Sequence, residues 1–409
     1  MAAVIAAPAS GSGKTLLSLA LLSWARSCNR TIQAFKVGPD YLDPQLLSMA
    51  SGRPCRNLDL NLCGDAWVKG AFHSYGGPCE LSLVEGVMGL FDGIGSSSRG
   101  STAAVAHWLG LPVILVVDAG GQAASLGALV RGFRDHDPQL NLAGVVLNRV
   151  SSQRHQDLLA DVLDSMGMPL LGCLPRSDLL SLPSRHLGLA PAHELANAKQ
   201  QCAAWASLAE EHLDMENLAP LLKAPEPGPN PLGDRIANHS GELPVAVASD
   251  AAFHFRYAET AELLERNGMP IVGWSPLSDE PIPEQARGLI LPGGFPEQHA
   301  AQLSSCNRSL RSLRQFVAQR PVYAECGGML LLGQQLTDLQ GHRHAMAGVL
   351  PFTAQRGALQ VGYRQLQARR ESPVLARHQQ LVGHEFHRWD LTAKRPPSDG
   401  SVLWDIEGW

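Results

Sequence analysis

The stretch that decides the fold is Ala7-Pro8-Ala9-Ser10-Gly11-Ser12-Gly13-Lys14-Thr15, which follows an apolar run and precedes a segment with helical spacing. In a strand, loop and helix of this kind, backbone N–H groups bind phosphate, and Gly11 and Gly13 supply the permissive backbone. We expect Lys14 to neutralise the β- and γ-phosphate oxygens and Thr15 to coordinate Mg²⁺. Proline replaces the glycine that usually begins the pattern, so the sequence predicts a variant phosphate loop.

Short apolar runs alternate with amphipathic segments after this loop, and this alternation predicts a parallel sheet with helices on both faces. The predicted strands are Val4–Ala7, Ile32–Phe35, Leu81–Val84, Val113–Val117 and Gly144–Leu147, and the predicted helices include Leu16–Ala25 and Gln153–Met166.

The chain has 409 residues and exceeds the size at which a single hydrophobic core keeps growing, so its length alone predicts two or three domains. Around Ala219–Glu242 the composition shifts to Pro, Gly, Asn and Ser, which is typical of a linker. Residues 1–218 and 243–409 are the predicted domains, and residues 219–242 connect them. The second domain begins another alternation of predicted elements: Val245–Ala248, Ala258–Arg266, Gly288–Leu291 and Pro321–Tyr323.

Charge and composition favour small-molecule partners. The net charge is -5 and no block of Lys and Arg is long enough to bind nucleic acid or an anionic membrane. Apolar runs such as Pro112–Val117 are far shorter than the roughly 20 residues that span a bilayer. Met1–Ala7 lacks the basic start of a signal peptide and is interpreted as a buried strand. The eight cysteines form no CxxC pair, which fits a reducing cytoplasm.

Carboxylates follow two of the predicted strands, where a metal held by the phosphate loop needs acidic partners. Asp40 follows Ile32–Phe35, and Glu85 follows Leu81–Val84. The alternative for Asp40, and equally for Asp43 and Asp92, is a role in turns or caps.

Asp118 and Asn148 also follow strands. Asn148 has an amide that can read a nucleotide base, and Asp118 is placed to line the same crevice. An ordinary turn role is the alternative for both residues.

The second domain contains Pro321–Leu332, with the pattern of strand, tight turn and helix, and Cys326 at the turn. A nucleophile on such an elbow stands clear of the sheet near backbone N–H groups that can lower its pKa and hold an oxyanion. A buried core thiol is the alternative. His342 and His344 have no further ligand at fitting spacing, so we interpret them as part of a solvated loop.

Lys36–Pro44, Val84–Gly93, Arg185–Leu189 and the variant loop together resemble the synthetase domain of the cobyrinate a,c-diamide synthase family, which is similar in fold to dethiobiotin synthetase. The resemblance covers nearly the whole chain. It implies an α/β phosphate-loop domain followed by a class I glutamine amidotransferase domain. It also implies that ATP phosphorylates the a and c acetate carboxylates of cobyrinic acid, giving acyl phosphates that ammonia attacks.

The resemblance assigns roles to residues of the first domain. Arg185 and His186 are expected either to contact substrate carboxylates or to serve a structural role at the domain junction. The remaining expected roles are phosphate contact by Lys14 and Lys36, Mg²⁺ coordination by Thr15, Asp40 and Glu85, and substrate orientation by Asp92.

In the second domain the resemblance points to His387 as the base for Cys326, with His384 as the second choice. Class I enzymes often have Glu two residues after this His, but Trp389 stands there, which predicts a Cys–His dyad. Leu289–Glu297 looks like the oxyanion loop, with the Gly294 N–H as donor. Ammonia released here must then travel to the ATP site.

Hydrogenobyrinic acid and nickel sirohydrochlorin stay open as alternative substrates, because related amidotransferases share every motif named above. Cobyric acid synthase resembles the chain less well at Lys36–Pro44 and Arg185–Leu189. A non-enzymatic ATP switch is disfavoured because Cys326 and His387 are both present. The sequence does not decide whether the protein is a homodimer.

Overall fold

A computed structural model describes residues 2–176, 184–185, 188–189, 192–195, 197–233, 242–372, 375–393 and 404–408. The chain forms two compact units, Met1–Pro231 and Leu232–Trp409. Within the described ranges, no helix is long and apolar enough to cross a membrane.

The first unit is built from alternating strands and helices. The strands are β1 Ala3–Ala6, β2 Ile32–Val37, β3 Arg56–Leu58, β4 Leu81–Glu85, β5 Val113–Asp118, β6 Leu142–Val150, β7 Leu170–Pro175, β8 Ser184–Arg185 and β9 Gly188–Leu189. The helices are α1 Lys14–Ser27, α2 Asp43–Ser51, α3 Gly64–Gly76, α4 Thr102–Leu109, α5 Ser125–His136, α6 Gln153–Asp164, α7 Ala198–His212 and α8 Met215–Leu221.

Seven of these strands form one sheet in the order β3-β2-β4-β1-β5-β6-β7, and all neighbouring pairs are parallel. This confirms the predicted parallel sheet. The strand before the phosphate loop, β1, is central. In the β-sheet register Glu85 is opposite both Ile5 and Lys36, so residues distant in sequence meet at the carboxyl edge.

Helices cover both faces of this sheet, and each face has its own core. One core joins the strands to α3 through α6, with Val68, Val130 and Leu159 among its buried residues. The other joins them to α1, α2, α7 and α8, and includes Leu17 and Trp205. Because a parallel sheet is apolar on both faces, its strands appear in the sequence as continuous apolar runs.

The second unit has a parallel α/β part and an antiparallel extension. Its strands are β10 Val245–Ala248, β11 Ile271–Trp274, β12 Gly288–Leu291, β13 Val322–Ala324, β14 Gln335–Thr337, β15 Arg343–Ala345, β16 Phe352–Ala368, β17 Gln380–Ala393 and β18 Trp404–Gly408. Its helices are α9 Ala258–Arg266, α10 Ala300–Ser305, α11 Asn307–Val317 and α12 Gly327–Leu332.

The α/β part has a four-stranded parallel sheet in the order β11-β10-β12-β13. In the extension β16 pairs antiparallel with β17 and with β18, while β14 pairs parallel with β16. The sequence did not predict the β16–β17 pair. These strands are mostly half-buried or exposed, so their apolar alternation is weak.

Candidate active sites

The phosphate loop depends on glycine at two positions. Gly13 has φ 113°, and a Cβ there would lie 2.3 Å from Asn148 Nδ2. Gly11 has φ 81°, and a Cβ there would meet no atom within 4 Å. Both backbones adopt conformations that side chains disfavour, and the open space at Gly11 is compatible with close approach of a ligand.

Lys14 lies at the start of α1, and its ammonium group contacts the phosphate loop and the loop that follows β4. Its Nζ donates to the carbonyl of Met88 at 2.6 Å and to that of Ala9 at 3.4 Å. Burial, together with the charge of Lys36, lowers the pKa of Lys14 to about 8. An amine with this pKa is still mostly protonated at pH 7, and a bound phosphate would stabilise that charged form.

Lys36 is the centre of a buried ionic cluster. Its Nζ lies 2.6 Å from Asp43 Oδ2, 2.8 Å from Glu85 Oε1, 3.0 Å from the Gly86 carbonyl and 3.9 Å from Asp40 Oδ2. Burial favours the neutral amine, but the surrounding carboxylates prevail and raise the pKa of Lys36 above its ordinary value. Phosphate contact by Lys36 stays a prediction.

Asp43 contributes more to this cluster than the sequence indicated. The sequence leaves a turn or cap role open for it, and it does begin α2. Its carboxylate is nevertheless the nearest acceptor for Lys36, and Lys36 lowers the pKa of Asp43 against the opposing effect of burial. Its spacing from Lys36 was the available signal, but only the fold of the Gly38–Leu42 loop brings the two together.

Glu85 and Thr15 are the two residues best placed for a metal. Glu85 is fully buried at the end of β4, and its Oε1 accepts a hydrogen bond from Thr15 Oγ1 at 3.1 Å. In the described chain its other oxygen, Oε2, has no hydrogen-bond partner. Burial raises the pKa of Glu85. Mg²⁺ typically takes one or two protein oxygens together with substrate phosphates, so this pair of donors fits it.

Asp40 has a structural function that is visible without any ligand. Its Oδ1 accepts hydrogen bonds from the backbone N–H groups of Leu42 at 2.8 Å and Asp43 at 3.1 Å. Burial and the neighbouring charge of Asp43 raise the pKa of Asp40 to about 7. The carboxylate thus holds the turn into α2, and its predicted metal coordination is untested.

Asn148 uses its amide to hold the phosphate loop. Its Nδ2 donates to the Ser12 carbonyl at 2.9 Å, and its Oδ1 accepts from the Arg149 N–H at 2.9 Å. Asp118 pairs with the Arg149 guanidinium. Base reading by Asn148 stays a prediction, and the structure shows that its amide already serves the loop.

The predicted substrate residues are less well placed. Asp92 is exposed, and its Oδ2 accepts from the Gly89 N–H at 2.7 Å, closing a turn of the β4–α4 loop. The backbone of Arg185 lies in β8 and pairs with Gly188 in β9. His186 lies outside the described residues. Their predicted contacts with substrate are therefore untested.

Cys326 lies on a strained elbow between β13 and α12. It has φ 43° and ψ -115°, a conformation that costs a side-chain-bearing residue roughly 1–3 kcal/mol. The turn is tight because a Cβ on Gly328 would lie 2.1 Å from the Leu291 carbonyl oxygen. This close packing fixes α12 against β12 and leaves Cys326 exposed at the strand end.

The surroundings of the Cys326 thiol oppose its ionisation. The residue as a whole is exposed, but desolvation of the thiol group and the charges of Glu297 and Glu325 raise the pKa of Cys326 to about 11. The sequence predicts that nearby N–H groups lower this pKa; the Gly327 N–H does so, but the other effects outweigh it. The thiol therefore needs a base or a bound substrate to become a thiolate.

The predicted oxyanion loop lies against the elbow. A Cβ on Gly293 would lie 3.5 Å from Cys326 Cβ, and a Cβ on Gly294 would lie 2.1 Å from the Ala252 carbonyl oxygen. The N–H groups of His254 and Phe255 both donate to the Gly293 carbonyl at 3.1 Å. Glycine is thus required at position 294, and the loop is held from the opposite side by the segment that follows β10.

His387 lies on β17 with an unusual neighbour. Its Nε2 is 3.7 Å from Glu385 Oε2, and Glu385 in turn pairs with Arg364 on β16. Across the described residues, Nδ1 of His387 is buried without a hydrogen-bond partner and no hydrogen bond joins it to Cys326. The nearby carboxylate is two residues before the histidine and not two after it, which is why the sequence pattern missed it.

Trp389 explains why no carboxylate follows His387. Its ring is in the core of the second unit, and its Nε1 donates to the Thr337 carbonyl at 2.9 Å, joining β17 to β14. The second choice of base, His384, contacts the ring of Tyr363 with centroids 5.0 Å apart. Burial and the charge of Arg364 lower the pKa of His384.

His342 and His344 both contact Asp338, at 3.3 Å and 2.9 Å from its Oδ2. They therefore brace the β14–β15 turn. In the part of the chain that the structure describes, no group of three or more His, Cys, Asp and Glu residues is arranged to hold a metal ion unaided.

Comparisons with known proteins match both units. Residues 3–189 match the CobQ/CobB/MinD/ParA nucleotide binding domain, and residues 244–398 match the CobB/CobQ-like glutamine amidotransferase domain. A cobyrinate a,c-diamide synthase of Synechococcus sp. is 40% identical over 96% of this chain and 87% of its own. One of Gloeobacter violaceus is 41% identical over 100% and 91%. A hydrogenobyrinate a,c-diamide synthase of Mycobacterium bovis is 41% identical over 96% and 86%.

Proposed function

The chain belongs to the family of cobyrinate and hydrogenobyrinate a,c-diamide synthases, and from this premise we propose that it amidates the a and c acetate carboxylates of cobyrinic acid in cobalamin biosynthesis. It is a glutamine-dependent, amide-forming ligase with a nucleotide-binding domain. The observation that supports this function best is that one chain holds both a phosphate loop with a buried Lys36–Glu85 pair and a strained Cys326 elbow.

The first half-reaction is phosphoryl transfer from ATP to a substrate carboxylate, giving an acyl phosphate and ADP. Lys14 and the N–H groups of the loop hold the phosphates, while Lys36 keeps Glu85 oriented. Thr15 and Glu85 are the proposed Mg²⁺ ligands, with Asp40 supporting the turn beside them. When bound there, Mg²⁺ would neutralise charge on the phosphate oxygens.

The second half-reaction releases ammonia from glutamine. Cys326 attacks the carboxamide carbon, the Gly294 N–H stabilises the oxyanion, and His387 transfers the thiol proton to the leaving ammonia. Water then hydrolyses the thioester to glutamate. Ammonia attacks the acyl phosphate, phosphate leaves, and the primary amide forms. Glu385 is proposed to orient His387 in this cycle.

Hydrogenobyrinic acid is the second candidate substrate, because relatives named for it are as similar to this chain as those named for cobyrinate. The domain limits 1–218, 219–242 and 243–409, the cytoplasmic location and a homodimer remain proposals from the sequence. Small molecules are the partners that both domains imply.

Mass spectrometry of purified protein incubated with cobyrinic acid, ATP, Mg²⁺ and glutamine tests the proposal. The expected product has two OH groups exchanged for NH₂, with ADP and glutamate formed alongside. If only hydrogenobyrinic acid is amidated, the proposed chemistry stands and the proposed substrate is replaced. No amide with either compound would contradict the proposed function.

A further inference from the structure

Glu297 is a buried carboxylate that the proposed mechanism does not use. It follows β12 in the short turn Pro296–His299 and is only 4% exposed. Its carboxylate interacts with its own backbone N–H, and within the described ranges no ion pair joins it to a side chain of another residue. Buried carboxylates seldom have so little compensation, because the charged form loses its hydration on burial.

The turn that carries Glu297 packs directly on the nucleophile elbow. A Cβ on Gly327 would lie 2.8 Å from Pro296 Cδ and 3.1 Å from the Gly294 nitrogen. The charge of Glu297 also acts on Cys326, since it contributes to raising the pKa of the thiol. The carboxylate therefore belongs to the glutaminase site and not to a remote part of the core.

A free glutamine molecule brings one cation into this site, its α-ammonium group. When the thiol attacks the amide carbon, that ammonium lies roughly 5 Å away along the extended side chain. We propose that Glu297 recognises the α-ammonium group of glutamine and so makes the site specific for the free amino acid. This inference rests on the proposed glutaminase function.

Two properties of the site agree with this assignment. Burial raises the pKa of Glu297 to about 7, so a cationic partner would stabilise its charged form. An ammonium beside Glu297 would also offset the negative charge that opposes ionisation of Cys326. The contact that selects glutamine would thus also favour the thiolate.

Glu325 provides a matched control. It precedes Cys326 and its charge also raises the pKa of the thiol. Unlike Glu297, it is exposed and accepts a hydrogen bond from the Tyr323 hydroxyl. Its carboxylate already has a partner, so it does not need a ligand cation.

The test compares glutamine with 4-carbamoylbutanoate, which is glutamine without its α-amino group. Hydrolysis of both compounds is measured for the wild type, Glu297→Gln, Glu297→Asp and Glu325→Gln, with ATP, Mg²⁺ and cobyrinic acid present. Glu297→Gln should lower kcat/KM for glutamine about 100-fold, mainly through KM, and should not lower kcat/KM for the analogue. Glu297→Asp should keep part of the preference, and Glu325→Gln all of it.

An equal loss with both compounds in Glu297→Gln would overturn the assignment and point to a structural role. An unchanged preference for glutamine would overturn it as well. Retained ammonium-dependent amidation checks the synthetase half, and circular dichroism checks that each variant is folded. A wild type that hydrolyses neither compound would instead overturn the proposed function, and with it the premise of this inference.

Discussion

The two candidate active sites differ in how far their reactive groups are paired before substrate arrives. At the phosphate loop, Lys36 contacts three carboxylates, and Thr15 donates a hydrogen bond to Glu85. At the elbow, Cys326 is exposed with a raised pKa, and Nδ1 of His387 has no hydrogen-bond partner in the described chain. The charged groups of the first site are largely paired with one another, whereas the reactive groups of the second are not.

The difference follows from the chemistry. Phosphoryl transfer is accelerated mainly by charges fixed in place before reaction, so pairing them in advance costs nothing at the catalytic step. A thiol nucleophile and its base must instead exchange a proton with the substrate, and a strong partner for either one would compete with that exchange.

Cys326→Ala should inactivate the glutaminase site and leave the phosphate-loop site active. Glutamine-dependent amidation should fall on the order of 10³-fold or more, because the nucleophile is lost, while ammonium-dependent amidation continues. Product formation with each nitrogen source is the measurement, and Cys63→Ala, another exposed cysteine, is the control. Loss of both activities in folded protein would argue against two separate sites.

Glu85→Ala should inactivate the phosphate-loop site. Both nitrogen sources should fail, by roughly 10²- to 10³-fold, because the metal donor and the partner of Thr15 are removed. The fold should survive since Lys36 retains Asp43. Steady-state rates with glutamine and ammonium test this against Glu211→Ala, an exposed change on α7. Full ammonium-dependent activity would exclude a catalytic role for Glu85.

Glu385→Gln sharpens the comparison because it measures how much the Glu385 carboxylate contributes to holding the His387 ring in position. We expect glutaminase kcat to fall about tenfold with little change in KM, since a neutral amide holds the imidazole less firmly. Ammonium-dependent synthesis should be unaffected. Glu407→Gln, an exposed change on β18, is the control. A kcat equal to that of the wild type would show that His387 acts without this carboxylate.

The most gradual expected effect is the pH dependence of nucleotide binding. Phosphate binds the protonated amine of Lys14, whose pKa is about 8. Affinity should therefore fall as pH rises above 8, by up to about tenfold per unit, with proton uptake on binding. Calorimetry in two buffers of different ionisation enthalpy measures this uptake. Lys14→Met should abolish the pH dependence, and a flat wild-type profile would contradict the shifted pKa.

The sequence alone predicted those features whose physical cause acts over a few neighbouring residues. The phosphate loop, the Cys326 elbow and the parallel sheet were all predicted, because glycine placement and apolar runs act over a few residues. Strands β10 and β12 and helix α9 have the predicted bounds. The family relationship was also predicted from four motifs and is confirmed by relatives about 40% identical over nearly the full chain.

Tertiary structure alone decided which groups meet. Asp43 reaches Lys36 through the fold of a loop, and Glu85 reaches it through the β2–β4 register. The proximity of Glu385 to His387 depends on a long strand whose alternation is too weak to detect in the sequence. Burial of Glu297 depends on the packing of its turn against Gly327. Sequence determined the reactive residue types, but which of them pair depends on the path of the loops and on contacts between strands that lie apart in the chain, as for Lys36 and Glu85.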